Sequence, residues 1–352
     1  MPPPGFIVTP GGAYTTAVPL PDTSIEWQRV KLDPVLSVRL HALSDAKAWA
    51  QCGGFCSLLL GTLAGAVWSS TTRHTTLTVC LSLFYGLQAN FLINGMHELG
   101  HGAVFATPWL NAFFLRLVSF LGWLHPDLFF SSHLRHHRFT QHPPHDLENP
   151  MPIRITVWDF LRFGVVDVRG AGSALLQTLR AATGCFPTGH LGWLPGWEEY
   201  LYPEDNSKEA RGAASHWARV LLLGHGCIAA STWALGWPLL LPALISGGPF
   251  FNGWLFFLCN STQHVGLEPN VADFRRNTRS FTLHPAVRFL YWHMNFHIEH
   301  HMYANVPCYH LAELHEAIKH ELPPTPDGIL AVWRDIVKAM ERVEMSDAKK
   351  IK

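Results

Sequence analysis

Residues 95–105 read GMHELGHGAVF, and His97 to His101 within them form a literal H-E-x-x-H. On a helix, residues four apart lie on one face, so this spacing aims two imidazoles at one point. Zinc hydrolases use the same spacing to hold their metal, with the glutamate as base. Its meaning here depends on the other histidines. His133-Leu134-Arg135-His136-His137 and His297-Ile298-Glu299-His300-His301 each place histidines at i, i+3 and i+4. A helix at either place is expected to turn all three rings toward one point. In a fourth stretch, NSTQH at 260–264, Asn260 and His264 are again four apart.

The surroundings of these clusters are apolar. Hydrophobic residues make up 48% of the 352 and charged residues only 15%, well below the usual quarter, so much of the chain is expected to avoid water. Four stretches carry no internal charge over about the 20 residues that cross a hydrocarbon core: 51–70, 75–94, 217–236 and 238–258, allowing one Arg at an end. The short turns TTRHT and WP make them two helical hairpins. Residues 109–124, apolar but interrupted by Arg116, read as an interfacial or re-entrant helix, as does 155–180. The expected fold is all-α: a four-span membrane protein with a helical cap over a metal site.

Every Lys and Arg except Arg73 falls on one side of that arrangement, which by the positive-inside rule is cytosolic. Both termini, the 95–216 loop and the 259–352 tail then share the cytosol. The division expected is a lead-in at 1–50, a membrane domain at 51–318 and a tail at 319–352. The lead-in has no basic segment followed by an apolar run, so it does not read as a signal peptide. A formal net charge of zero gives no reason to propose a nucleic-acid partner. Five of the seven cysteines (Cys52, Cys56, Cys80, Cys227, Cys259) sit in apolar segments without a C-x-x-C, and read as small buried hydrophobes.

On this topology the histidine clusters meet on one face of the membrane. A catalytic zinc takes three protein ligands and keeps a place for water, so it has no use for eight or nine histidines. Eight or nine nitrogens suit two metal ions. Imidazole binds iron, copper, nickel and zinc alike, but zinc has no redox role. Two irons beside a membrane-buried channel suit the activation of dioxygen against an unactivated C–H bond. The zinc metalloprotease reading of HELGH stays as the alternative of another class. A metal transporter needs a polar path through the spans, and Gln88, Asn90 and His225 are too few to line one.

The boxes HELGH, HLRHH and HIEHH resemble, in order and placement, those of the membrane fatty acid desaturase and hydroxylase superfamily over roughly residues 50 to 318. The resemblance implies a nonheme diiron centre held by His97, His101, His133, His136, His137, His264, His297, His300 and His301, with Asn260 reaching iron through water. The run QHVGLEPNVADFRRNTRS and the stretch RFLYWHMNFHIEHHMYANVPCYHLAELHE look most like a branch with dihydrorhizobitoxine-desaturase-like proteins, whose members need not act on fatty acids. The activity implied is O2-dependent desaturation of an acyl or lipid-like chain in the membrane, with hydroxylation, epoxidation or oxidative decarboxylation as alternatives. TPGG at 9–12 is no haem-binding H-P-G-G, so electrons are expected from a separate donor, cytochrome b5 or a ferredoxin with its reductase. The membrane is the endoplasmic reticulum in a eukaryote and the inner membrane in a bacterium.

Metal-bound imidazoles usually donate their second N–H to a carboxylate or carbonyl. Glu98, Asp146, Glu148, Asp273 and Glu299 are the candidates, Asp146 and Glu148 foremost. His142, His145 and His293 read as hydrogen-bonded neighbours. His225, in mid-span, is open between a functional group and a bond to a neighbouring helix. Arg275, Arg276 and Arg279 are open between a substrate head group and topology with anionic lipid.

Overall fold

The computed structural model describes residues 6–8, 14–16, 25–143, 146, 148, 155–186 and 207–350. The described chain is helical, as expected, apart from one antiparallel hairpin, β1 (Phe6–Val8) with β2 (Tyr14–Thr16). Helix α1 (Pro34–His41) begins where Asp33 accepts the N–H groups of Val35 and Leu36 at 2.9 and 3.1 Å, with proline at its first position. Helices α2 (Asp45–Thr71) and α3 (Thr75–Gly100) follow as an antiparallel pair, both long and apolar enough to cross a membrane. Their turn, Thr72 to His74, puts Arg73 in the left-handed region (φ 58°). The expected spans 51–70 and 75–94 lie within these two helices. Helix α3 continues past residue 94, so the first box extends the second span and His97 is held by the span itself.

Helices α4 (Pro108–Leu121) and α5 (Pro126–Phe139) meet at 105°. Arg116 on α4 donates from both terminal nitrogens to Asp127 on α5, at 2.8 and 2.9 Å, and lies 4.9 Å from the Trp217 ring centroid. The bidentate pair explains how an arginine sits inside the 109–124 apolar run, and the bend makes α4 and α5 a broken span or a re-entrant arm. Helices α6 (Val157–Gly164) and α7 (Val168–Ala182) are capped by Thr156 and Asp167. Both leave large apolar side chains outside, Trp158 at 79% and Val168 at 72% exposure, as an interfacial segment does.

The second expected hairpin needs correcting. Among the described residues two helices are long and apolar enough to span, or three if the bent pair counts as one. The expected third span, 217–236, lies in α8 (Ser207–Ala234), which has the length, but Arg219 and the run Gly224-His225-Gly226 dilute its apolar character. The expected fourth, 238–258, is not one helix. Helix α9 (Leu240–Gly247) gives way to a single tight turn and then to extended backbone at Phe251, before α10 (Trp254–Asn260). The break is stitched to the α6–α7 junction, with Asp167 N donating to Phe250 O and Asn252 N to Val165 O at 2.7 and 2.8 Å. Asn90 on α3 also donates to Phe251 O, at 2.9 Å.

His225 proves to be a fastener between helices. Its ring nitrogens bond Ser246 Oγ on α9 (2.8 Å) and Phe120 O on α4 (3.1 Å). The ring is sandwiched between Phe120 and Trp123, centroids 4.5 and 4.2 Å away. Gly224 permits the approach, because a Cβ there would stand 2.4 Å from the Phe120 ring.

The rest of the chain forms short elements: α11 (Phe274–Asn277), α12 (Pro285–Leu290), α13 (His297–Met302), α14 (Leu311–Ile318) and α15 (Gly328–Lys350). They pack with α2 and α3 around one continuous apolar core that includes Phe55, Phe91, Leu99, Tyr291, Trp292 and Leu314. Trp333 on α15 donates to Leu258 O of α10 at 2.9 Å, closing the tail onto the body.

Candidate metal centre

Nine imidazoles converge in two adjacent groups. His97, His101, His133, His137 and His300 bring one ligand nitrogen each within 4.8 Å of one another, and so do His136, His264, His297 and His301. Helix α3 supplies the first box, α5 the second, the segment after α10 supplies His264, and α13 the third box. Each H-x-x-H-H divides between the groups, contrary to a single point of convergence. His133 and His137 serve the first group while His136 serves the second; His297 and His301 serve the second while His300 serves the first. Helical geometry is the reason. Positions i+3 and i+4 are successive residues, about 100° apart around the axis, so they cannot share a target at short range. Two facing boxes with this divergence define two centres side by side, and His137 stacks on His301 across the divide at 4.4 Å between centroids.

The outward nitrogens of five rings are tied down. Nδ1 of His97 bonds Glu98 Oε1 at 2.9 Å, Nδ1 of His133 bonds Glu148 Oε2 at 3.1 Å, and Nδ1 of His136 bonds Asp146 Oδ2 at 3.0 Å. Nδ1 of His264 donates to Asn277 O at 2.9 Å. Nδ1 of His301 meets Thr140 Oγ1 at 3.1 Å, a hydroxyl that itself donates to His136 O. Acceptors on Nδ1 fix the neutral tautomer with its lone pair on Nε2. Within the two groups, Nε2 atoms face one another: His101 to His133, His137 to His300, His264 to His297 and His297 to His301 at 3.2 Å, and His133 to His137 at 2.9 Å. Converging lone pairs repel unless a cation lies between them. Burial, reinforced by the neighbouring imidazoles, holds His264 down to about 3 and pushes His297, His300 and His301 well below the ordinary histidine range. These four rings therefore offer lone pairs rather than charge at neutral pH, whereas at His136 burial is outweighed by Asp146 and Glu148, which draw the ring the other way, above the ordinary histidine range. All-nitrogen sets of five and four fit transition-metal ions.

Residues 74–333, from the head of α3 into α15, match the family model described as fatty acid desaturase. The chain belongs to that family. No curated protein matches it. It is thus a desaturase or hydroxylase type of oxidoreductase in a membrane, with histidine boxes that can hold metal.

Within this family member the five candidate carboxylates take different places. Asp146 accepts from His136, from Gln141 N at 2.7 Å and from Glu148 N at 3.1 Å. Burial opposes its charge, but His136 and those N–H groups hold its carboxyl below the usual range. Burial pushes the Glu148 carboxyl up to about 7. Glu98 leans on the outer nitrogen of its neighbour His97, away from the metal side of the ring where a hydrolase base has to stand. Glu299 and Asp273 turn elsewhere: Glu299 is buried against Ser280 and His315, while Asp273 caps α11 and pairs with Arg275 at 2.8 Å. Asn260 ends α10, partly buried, one turn before His264.

The arginines proposed for a head group are engaged within the fold. Arg275 binds Asp273, Arg276 binds Glu268, and Arg279 donates to Thr262 O and Val265 O. His142 bonds Thr140 O at 2.8 Å, His293 sits at φ 60° with its Nδ1 buried and unpartnered, and His145 lies outside the described residues.

Several supporting residues carry no pattern in the sequence. Gln141, at φ 56°, donates from its amide to His264 O and Asn277 O at 2.9 and 2.8 Å, joining the second box to the loop that carries His264. Thr140, Asn277, Ser280 and His315 are of the same kind. Gly100, inside HELGH, does have a signal: a Cβ there would stand 1.8 Å from the Phe130 ring, and that ring packs edge-on against His101 and His133.

Proposed function

We propose that the nine histidines, with Asn260 through water, hold two irons, and that this protein uses dioxygen and externally supplied electrons to desaturate an aliphatic chain. The observation that carries the reading is the pair of all-imidazole groups with Nε2 atoms turned toward one another and, on five of the nine rings, Nδ1 held by an outer partner. Bound there, the irons supply the redox capacity to reduce dioxygen and remove hydrogen from an unactivated carbon. The chain's own part is to aim the rings: Glu98, Glu148 and Asp146 hold three Nδ1 protons, Asn277 O and Thr140 hold two more. Removal of two adjacent hydrogens gives the alkene; insertion of oxygen gives an alcohol or epoxide from the same ligand set.

The substrate is an acyl or lipid-like chain drawn from the membrane. The electron donor is a separate protein, cytochrome b5 or a ferredoxin with its reductase. Both termini and the metal centre face the cytosol. A zinc hydrolase is disfavoured by Glu98, which is spent on His97. Expression in a heterologous host, with mass spectrometry of its lipids and small metabolites, tests the reaction against a His301→Ala control. Products lacking two hydrogens support desaturation, products with one added oxygen select hydroxylation or epoxidation, and zinc in place of iron in protein from iron-replete cells refutes the reading.

A further inference from the structure

Trp27 lies in the extended lead-in to α1, half-buried at the surface. Its indole stacks on Phe274, with centroids 4.1 Å apart and planes 10° from parallel. Phe274 is fully buried, and its ring also lies 5.4 Å, centroid to centroid, from the imidazole of His301. A second line of contact leaves the same indole: its edge meets His142 at 5.3 Å, His142 bonds Thr140 O, and Thr140 Oγ1 bonds Nδ1 of His301. Both lines end on one member of the second histidine group.

The indole is also held in plane. Trp27 Nε1 donates to Arg138 O at 3.0 Å, directly after the second box, and Gln28 N donates to Ala272 O at 2.9 Å. Apolar filler needs neither the polar tether nor the parallel stacking. Beside it Arg29 is exposed, its guanidinium 5.9 Å from the Phe274 centroid. Arg275 and Arg276, by contrast, are neutralised by Asp273 and Glu268.

We propose that Trp27 and Phe274 are the electron entry of this protein: a one-electron carrier seats over Trp27, and electrons cross the indole–phenyl stack to the second metal group at His301. The proposal rests on the two-iron reading above. Each passage oxidises the carrier by one electron and turns one ferric ion ferrous; no bond forms or breaks, and two passages reduce the pair. Contacting rings leave short through-space gaps, and tunnelling falls exponentially with each gap.

The test uses the full-length, iron-loaded protein and needs no knowledge of the natural carrier. The exposed cysteines Cys80, Cys185 and Cys227 are changed to Ser, Arg29→Cys is introduced, and a ruthenium polypyridyl label is attached there. A laser flash with a sacrificial amine injects one electron, and loss of the ferric absorption gives the rate. Trp27→Leu is expected to slow injection by an order of magnitude at unchanged iron content and unchanged endpoint with dithionite. Trp27→Phe, which keeps a ring on Phe274, slows it far less. If Trp27→Leu loses iron, Trp27→Met takes its place. Equal injection rates with and without the indole overturn the relay, while a parent protein without iron, or one dithionite cannot reduce, overturns the metal reading beneath it.

Discussion

Asp146 accepts from three donors in a buried setting: the His136 ring, the backbone of Gln141 and the backbone of Glu148. Asp146→Ala strands these donors and frees the ring it aims, and loss of such an outer partner typically costs 10–100-fold in metal affinity. Chelator competition on the purified variant is expected to show iron held more weakly by about that factor, with Asp146→Asn intermediate because its amide oxygen still accepts. His→Ala at His133, His137, His297 or His301 is expected to abolish turnover while the protein still inserts in membrane; product assays on membrane fractions check this, and retained turnover contradicts the ligand assignment. The converging histidines were legible in the sequence because they repeat one residue type at helical spacing. Gln141 and Thr140 were not, since their work depends on where a left-handed turn carries an amide and a hydroxyl, and no spacing records that. Gln141→Ala leaves His264 O and Asn277 O without the amide that joins them.

At the scale of elements, the turn geometry of an α-helix distributes each H-x-x-H-H over two centres, so α5 and α13 must face each other with opposite assignments for both sets to fill. The bent α4–α5 pair is joined by Arg116 and Asp127. Arg116→Met leaves the Asp127 carboxylate, 5% exposed, without its bidentate partner. Partial exposure of Arg116 reduces the cost of such a loss to about 2 kcal/mol. The double variant Arg116→Met with Asp127→Leu is expected to recover most of it, since two apolar residues replace a pair whose desolvation offsets its attraction. Thermal unfolding in detergent checks the order; a double variant no better than the single one denies the pair its role. The first hairpin was legible because residues 51–70 and 75–94, within α2 and α3, carry no charge. The second was not, because hydropathy sums composition and is blind to the place where Gly247-Gly248-Pro249 ends the hydrogen-bond ladder of α9.

Across the whole molecule, the nine histidines come from α3, α5, the segment after α10, and α13, spread over residues 97 to 301. On the two-iron proposal, ions held by all four join the membrane hairpin to the helices that follow it, and the unfolded chain has no preformed site to compete for them. A ligand bound only by the native state stabilises it by RT ln(1 + [L]/Kd), about 2.7 kcal/mol for each ion at a hundredfold excess over Kd. Removal of iron is therefore expected to lower the midpoint of thermal unfolding, and re-addition of ferrous ion to restore it in proportion to the logarithm of free metal. His301→Ala, lacking a ligand of the second group, is expected to show a smaller shift on iron addition than the parent. The facing nitrogens set the direction: without a cation the inward Nε2 atoms repel, so the metal-free protein loses an attraction and keeps a repulsion. A midpoint that stays fixed while iron is stripped and restored would place the metal on a local surface site and separate it from the convergence of the four elements.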